Sequence, residues 1–249
     1  MTSTSLHDWF NTALGEYVLE RERAWLDQVV PDIFGYHAIQ LGSPDLDLLR
    51  DSRIVHRLIV APTDVNGNPP DVRAQFHELP FEAQSIDLCV VPHILEFTQQ
   101  PHEILREIDR VMRPEGRILI IGFNPWSLFG VKKLWASKGY PWQGQFVSLV
   151  RMKDWLQLLG FEPSSGKLAC YIPPCETADW QRRYLFLEQA GDRWWGVSGG
   201  VYMLEAIKRV KGMRLMTPNW ADQAGRERKF ATAVKKETAK ATSHLRSVK

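Results

Sequence analysis

The stretch LPFEAQSIDLCVVPHILEFTQQPHEILREIDRVMRPEGRILIIGF, residues 79–123, sets two apolar runs on either side of one helix. Ile86–Val91 has the length and composition of a buried strand, and Arg117–Phe123 is a second such run. Pro101 suits the first residue of the helix between them, because its missing N–H would have no partner there anyway. The helix is expected to run to Met112, with Ile104, Leu105, Ile108 and Met112 on its core face and Gly116 in the turn that follows. Strand, crossover helix and strand together make a right-handed parallel unit.

The same alternation extends outward from this unit. Tyr36–Gly42 and Arg53–Val60 are further strands, with a helix expected over Asp45–Asp51 between them and a weak strand near Val72–Phe76. Ala61–Val72, rich in Pro, Asn, Asp and Gly, reads as a loop. Downstream, a helix is expected over Lys153–Leu159, a strand from Phe161, a helix over Thr177–Gln189, and a final strand in GGVYMLEAIKRV that pairs at one sheet edge. Ahead of all this, Ser5 and Asp8 have capping-box spacing, and Leu6, Trp9, Phe10, Leu14, Val18, Trp25 and Val29 recur at helical intervals until Pro31. The fold class is α/β, doubly wound and Rossmann-like, with a mostly parallel sheet. Its ligand site is expected beyond the carboxyl ends of the strands, where strand order reverses. The organisation is an N-terminal helix over residues 1–30, an α/β domain over 31–210 with an insertion at about 124–150, and a basic, flexible tail over 211–249.

Composition narrows the function classes. The net charge of +2 hides an asymmetry: from Ala206 onward there are 12 Lys and Arg against 3 Asp and Glu, which leaves 19 against 26 in residues 1–205. An acidic body argues against a general polyanion-binding protein, and nucleic acid is a partner only through the tail. Three scattered cysteines do not make a disulfide framework, and no histidine stands at ligand spacing beside Cys170 and Cys175, so no metal is expected. No secretory leader pattern or membrane-spanning run is present, which makes the cytoplasm the expected location and membrane an unexpected partner.

Three segments resemble class I S-adenosylmethionine-dependent methyltransferases, closest to the small-molecule group of ubiquinone and menaquinone biosynthesis. They are Leu79-Pro80-Phe81 with Asp87, Leu95-Glu96-Phe97 with Pro101, and Leu105–Gly116. The resemblance spans roughly Gly35 to Val210 and implies a seven-stranded sheet whose last strand is antiparallel. It also implies S-adenosylmethionine as cofactor. In that family a glycine-rich loop after the first strand lets the backbone approach the methionine part of the cofactor. This chain keeps Gly42 but carries Pro44 and Leu46 where later glycines stand, with Ser43 suited to cap a helix and Pro44 to begin it. Ala61 stands where an acid takes the ribose hydroxyls, with Asp64 three residues on, and Gln75 followed by Phe76 stands near the adenine position. The cofactor residues implied are Gln40, Gly42, Ser43, Asp45, Ala61, Asp64, Gln75, Phe76 and Pro92.

A nicotinamide cofactor is disfavoured, because Asp45 and Asp47 in the expected first helical turn would repel its pyrophosphate, whereas a sulfonium and an ammonium tolerate them. For chemistry, His93 and Glu96 follow the fourth strand on the side that faces substrate, and His93 is the base candidate. Asn124, Trp126 and Trp142 are expected to line the acceptor pocket under an irregular aromatic segment that also includes Trp135 and Tyr140. The expected function is methyl transfer to a small aromatic or apolar acceptor. The alternative is a methyltransferase-fold protein without catalysis that serves as a binding or regulatory partner.

Overall fold

The computed structural model describes residues 5–65, 67–136, 139–174, 183, 184, 186, 188, 191, 193 and 196–210. Their strands are β1 (His37–Leu41), β2 (His56–Ala61), β3 (Val72–Arg73), β4 (Ile86–Pro92), β5 (Met112–Phe123), β6 (Phe161–Ala169) and β7 (Val201–Lys208). They form one seven-stranded sheet in the order β3-β2-β1-β4-β5-β7-β6. β2–β3, β1–β2, β1–β4 and β4–β5 pair in parallel, whereas β7 runs antiparallel to β5 and β6. This is the doubly wound sheet with an antiparallel last strand that the sequence led us to expect.

Helices cover both faces. On one, α1 (Leu6–Phe10) and α2 (Ala13–Val29) bring Trp9, Phe10, Val18 and Leu26 against Leu88, Val90, Leu119 and Ile121. On the other, α3 (Pro101–Val111) and α5 (Leu149–Leu158) bring Ile104, Leu105, Ile108, Met152 and Leu156 against Ile39, Cys89, Val91, Ile118 and Ile120. Successive strand residues point to opposite faces, so an unbroken apolar run in β4 and β5 serves both layers. A fifth helix, α4 (Leu128–Trp135), follows β5.

Several local expectations are revised. The N-terminal helix is two helices: the Thr12 hydroxyl donates to the Trp9 carbonyl (2.7 Å) and accepts the Gly15 N–H (3.1 Å), which ends α1 and caps α2. α5 starts at Leu149 because Ser148 caps it through the Arg151 N–H. β3 has two residues, and Arg113–Gly116 bulge within β5, since the register jumps from Ile86↔Met112 to Leu88↔Arg117. Most of the helix expected over Thr177–Gln189 and all of the tail over 211–249 lie outside the described residues.

The largest revision concerns Asp45–Asp51, which is a series of turns and not a helix. Ser43 takes a left-handed backbone (φ 48°) after Gly42 (φ 71°) instead of capping a helix. One buried side chain supplies the hydrogen bonds that a helix would have made. Gln40 Nε2 donates to the carbonyls of Gly42 (3.0 Å), Ser43 (3.0 Å) and Leu46 (2.7 Å), and its Oε1 accepts the Leu48 N–H (3.0 Å). Two amide protons are thus shared among three carbonyls while the amide oxygen accepts a fourth bond, a combination of donor and acceptor that Lys and Arg lack.

At the other side of the sheet's carboxyl end sits a buried charge cluster. The His93 side chain is 0% exposed; its Nε2 lies 2.7 Å from Glu22 Oε1 on α2 and its Nδ1 3.4 Å from Glu96 Oε2. The second contact is an ion contact longer than a good hydrogen bond. Glu96 Oε1 also accepts the backbone N–H of Phe123. Gly122 makes room for this, since a Cβ there would lie 2.5 Å from the Tyr202 hydroxyl and 3.0 Å from Glu96 Oε1. Burial by itself would lower the imidazole's proton affinity, but the charges of Glu22 and Glu96 outweigh it and raise the His93 pKa to about 10.

Two outcomes follow. Gln40→Leu leaves one N–H and several carbonyls of the β1 corner without partners, and should lower unfolding stability by about 3 kcal/mol in urea titrations. His93 binds its proton more tightly folded than unfolded, so its contribution is complete below the ordinary value of 6.5 and is lost as pH rises through about 10. Wild-type stability should therefore fall across that window, and in His93→Gln this component of the decline should vanish from a melting-temperature series.

Candidate functional site

β1 pairs with β2 on one side and with β4 on the other, so the crossovers from β1 and from β4 leave in opposite directions. A cavity of about 390 Å³ opens at that switch point, beyond the carboxyl ends of β1, β2 and β4. Its volume suits a cofactor-sized ligand. Each strand end contributes to the wall in turn: Gly42, Ser43 and Asp45 after β1, Ala61 and Thr63 at the end of β2, Gln75 and Phe76 after β3, and Pro92 with His93 at the end of β4. The first turn of the chain closes the cavity, with Ser5, Leu6 and His7 in its wall. Trp9 and Phe10, buried against Phe123 and His93, anchor that closure.

No lysine or arginine is among the described residues of the wall. Its carboxylate, Asp45, is nearly buried and bonds through Oδ2 to His7 Nδ1, a contact between residues 38 positions apart. Two rings, Phe97 and Tyr140, stand 4.8 Å apart at the same cavity, and Phe76 adds a third. The wall is therefore aromatic, with one carboxylate beside two histidines, and it offers a phosphate no lysine or arginine among its described residues.

The structure brings together Gly42, Ser43, Asp45, Ala61, Gln75, Phe76 and Pro92 on this wall. Gln40 is not on it, because its amide is wholly engaged in bracing the corner. Asp64 is also absent from it: both its oxygens bond Arg73, at 2.8 and 2.9 Å. The expected role of a helix N-terminus carrying Asp45 and Asp47 falls away, since turns occupy that segment.

The base role expected of His93 does not fit its placement. A ring protonated up to about pH 10, with each nitrogen facing a carboxylate, has no free lone pair to accept a proton at neutral pH. Glu96 sits with it in the interior and is not part of the cavity wall. Asn124 is buried as a brace, donating to the carbonyls of Val197 (2.9 Å) and Gly199 (3.0 Å) and accepting the Trp126 N–H (3.1 Å). Trp142 packs on Phe129, with Lys132 Nζ 5.0 Å from its ring centre. Trp126 lines a separate cleft beside α4.

Sequence reasoning missed His7 and Glu22. Nothing local marks His7, whose partner is far away in the chain. Glu22 did carry a signal: a carboxylate within the apolar stripe of α2, four residues after Val18 and three before Trp25.

Residues 57–120 match the methyltransferase domain family. The chain is 35% identical over 133 residues to the uncharacterized protein YafS of Escherichia coli K12, covering 52% of this chain and 54% of that one. It is 35% identical over 81 residues to the ubiquinone/menaquinone biosynthesis C-methyltransferase UbiE of Bartonella tribocorum, 31% of each chain. The chain thus spans about half the length, or less, of these curated relatives. Among solved structures, a possible histamine N-methyltransferase from Thermotoga maritima superposes with a TM-score of 0.59 at 15% identity, covering 82% of this chain and 94% of that one. A methyltransferase from Archaeoglobus fulgidus described as SAM-dependent gives 0.54 at 18%, covering 76% and 94%. With its strand order and its switch-point cavity, the chain has the fold of these S-adenosylmethionine-dependent methyltransferase structures, and residues 57–120 carry the match to the methyltransferase domain family.

Proposed function

We propose that this chain binds S-adenosylmethionine in the switch-point cavity and transfers its methyl group to a small aromatic or apolar acceptor. The observation that carries this reading is the aromatic wall with the Asp45 carboxylate and no described lysine or arginine, at the switch point beyond the strand ends. The named use of the fold in the relatives, a C-methyltransferase among them, points the same way.

The wall residues fit the group in the following way. Gly42, which has no side chain and a left-handed backbone, lets the main chain come close to the amino-acid part. Asp45 offers its carboxylate to the ammonium, in competition or in company with His7. Gln75 supplies an amide for an adenine edge, and Phe76 a ring beside it. The ribose end departs from the family pattern: Ala61 has no oxygen to offer, and Thr63 is the hydroxyl on the wall at that end of β2. Once bound, the donor supplies an electrophilic methyl group on a sulfonium. The chain's part is to hold acceptor and donor in line and to keep water out, the contribution with the largest entropic payoff in such transfers. Phe97 and Tyr140 are the aromatic wall against which a flat acceptor would lie, closed from above by the first turn of α1.

Calorimetric titration is the direct test. Wild-type chain should bind S-adenosylmethionine and S-adenosylhomocysteine with dissociation constants on the order of micromolar; no heat up to millimolar ligand would overturn the reading. Asp45→Asn should weaken S-adenosylmethionine about tenfold, the size of one charge-assisted hydrogen bond. Tight binding of the donor with no methyl transfer to any aromatic or apolar acceptor would move the protein to the non-catalytic alternative, which the missing ribose acid favours.

A further inference from the structure

We propose that the outer face of α4, together with Trp126, docks on the interfacial layer of an anionic phospholipid bilayer. α4 is amphipathic in the inverted sense. Phe129 is fully buried, while Leu128 (46%), Val131 (54%), Leu134 (78%) and Trp135 (89%) are exposed, with Trp126 (78%) beside them. Its two lysines do not screen this face. Lys132 Nζ donates to the Pro174 carbonyl at 2.9 Å, and Lys133 donates to the Gly144 carbonyl with its Nζ 4.7 Å from the Phe146 ring centre. Five large apolar side chains are exposed within ten residues, four of them walling one cleft, a concentration that a protein in water alone does not favour.

Charge selects the partner. Residues 124–150 contain no aspartate or glutamate to repel an anionic surface, within a body where acids outnumber bases by 26 to 19. From Ala206 onward the chain adds 12 Lys and Arg against 3 acids. Exposed tryptophans prefer the headgroup level of a bilayer, leucine and valine the acyl boundary just below it, and lysines the anionic surface. A cleft of about 890 Å³ opens on the same face, walled in part by Trp126, Leu128, Val131 and Leu134, and is apolar enough to admit an acyl chain. A second copy is a poorer occupant: an eight-residue helix is about 12 Å long and presents well under the roughly 800 Å² per partner that a stable dimer buries. No described helix is long and apolar enough to cross a membrane, so the contact is with the surface.

The test uses full-length chain and sucrose-loaded vesicles, either phosphatidylcholine alone or an equal mixture with phosphatidylglycerol. The wild type should sediment with the mixed vesicles and not with the neutral ones. Leu134→Ser combined with Trp135→Ser, both at exposed positions, should weaken that binding at least about tenfold. Val55→Ser, equally exposed but before β2, should leave it unchanged, and melting curves would show both variants folded. The proposal is overturned if the double variant sediments like the wild type, because the basic segments alone then suffice. It is also overturned if the wild type binds neither vesicle, whether it instead self-associates through α4 in ultracentrifugation or is retained by nucleic acid. Failure here leaves donor binding untouched, since the two faces share no residue.

Discussion

The carboxyl end of the sheet depends on one buried ion cluster. Glu22, His93 and Glu96 come from α2, the end of β4 and the loop after it, and Glu96 reaches on to the Phe123 N–H at the end of β5. α2 is thereby tied in one geometry to the ends of β4 and β5, which already share sheet hydrogen bonds. Such a cluster is costly to desolvate, and replacing a buried ion pair by packed hydrocarbon is often neutral for stability. Its value lies in registry. His93 is held in a left-handed backbone (φ 52°), and its main-chain N–H donates to the Ile121 carbonyl at 2.9 Å. A conformation that costs a non-glycine residue free energy persists only where its surroundings over-determine it. That constraint sets the path of Pro92–Ile94, which forms one side of the cavity.

The opposite side of the cavity is set by a different device. In place of several glycines leading into a helix, the chain after β1 has one glycine, a left-handed serine and a string of turns bound to the Gln40 amide. The loop is rigid through a side chain rather than through helical hydrogen bonds. Without a helix N-terminus the corner has no dipole aimed at an anion, and Asp45 stands on the cavity wall bonded to His7. The corner thereby presents a carboxylate, and no described lysine or arginine, to the cavity.

The fold was legible because β1, β4, β5 and the α3 crossover are written in long, periodic apolar patterns, and because the final strand stands out as an apolar run of its own. The cavity wall was legible in part for the same reason: residues just past strand ends stand at the switch point wherever this topology occurs, which places Gly42, Ala61, Gln75 and Pro92. What failed depended on side chains finding distant partners. Ser43-Pro44 has all the local signs of a helix start, yet Gln40, buried inside a strand, competes successfully for the same backbone groups. His93 has the local look of a base, yet the charges that protonate it come from 71 residues upstream and three downstream. Local pattern reports propensity; it does not report which buried carboxylates a fold will bring to an imidazole.

Nitrogen chemical shifts of the His93 ring, followed by NMR from pH 6 to pH 10 in the folded protein, test this most directly. If the cluster organises the sheet's carboxyl end as described, both ring nitrogens carry protons throughout the neutral range and titrate together near pH 10. A single-proton, neutral ring at pH 8 would contradict it, and would return His93 to the status of an ordinary loop histidine.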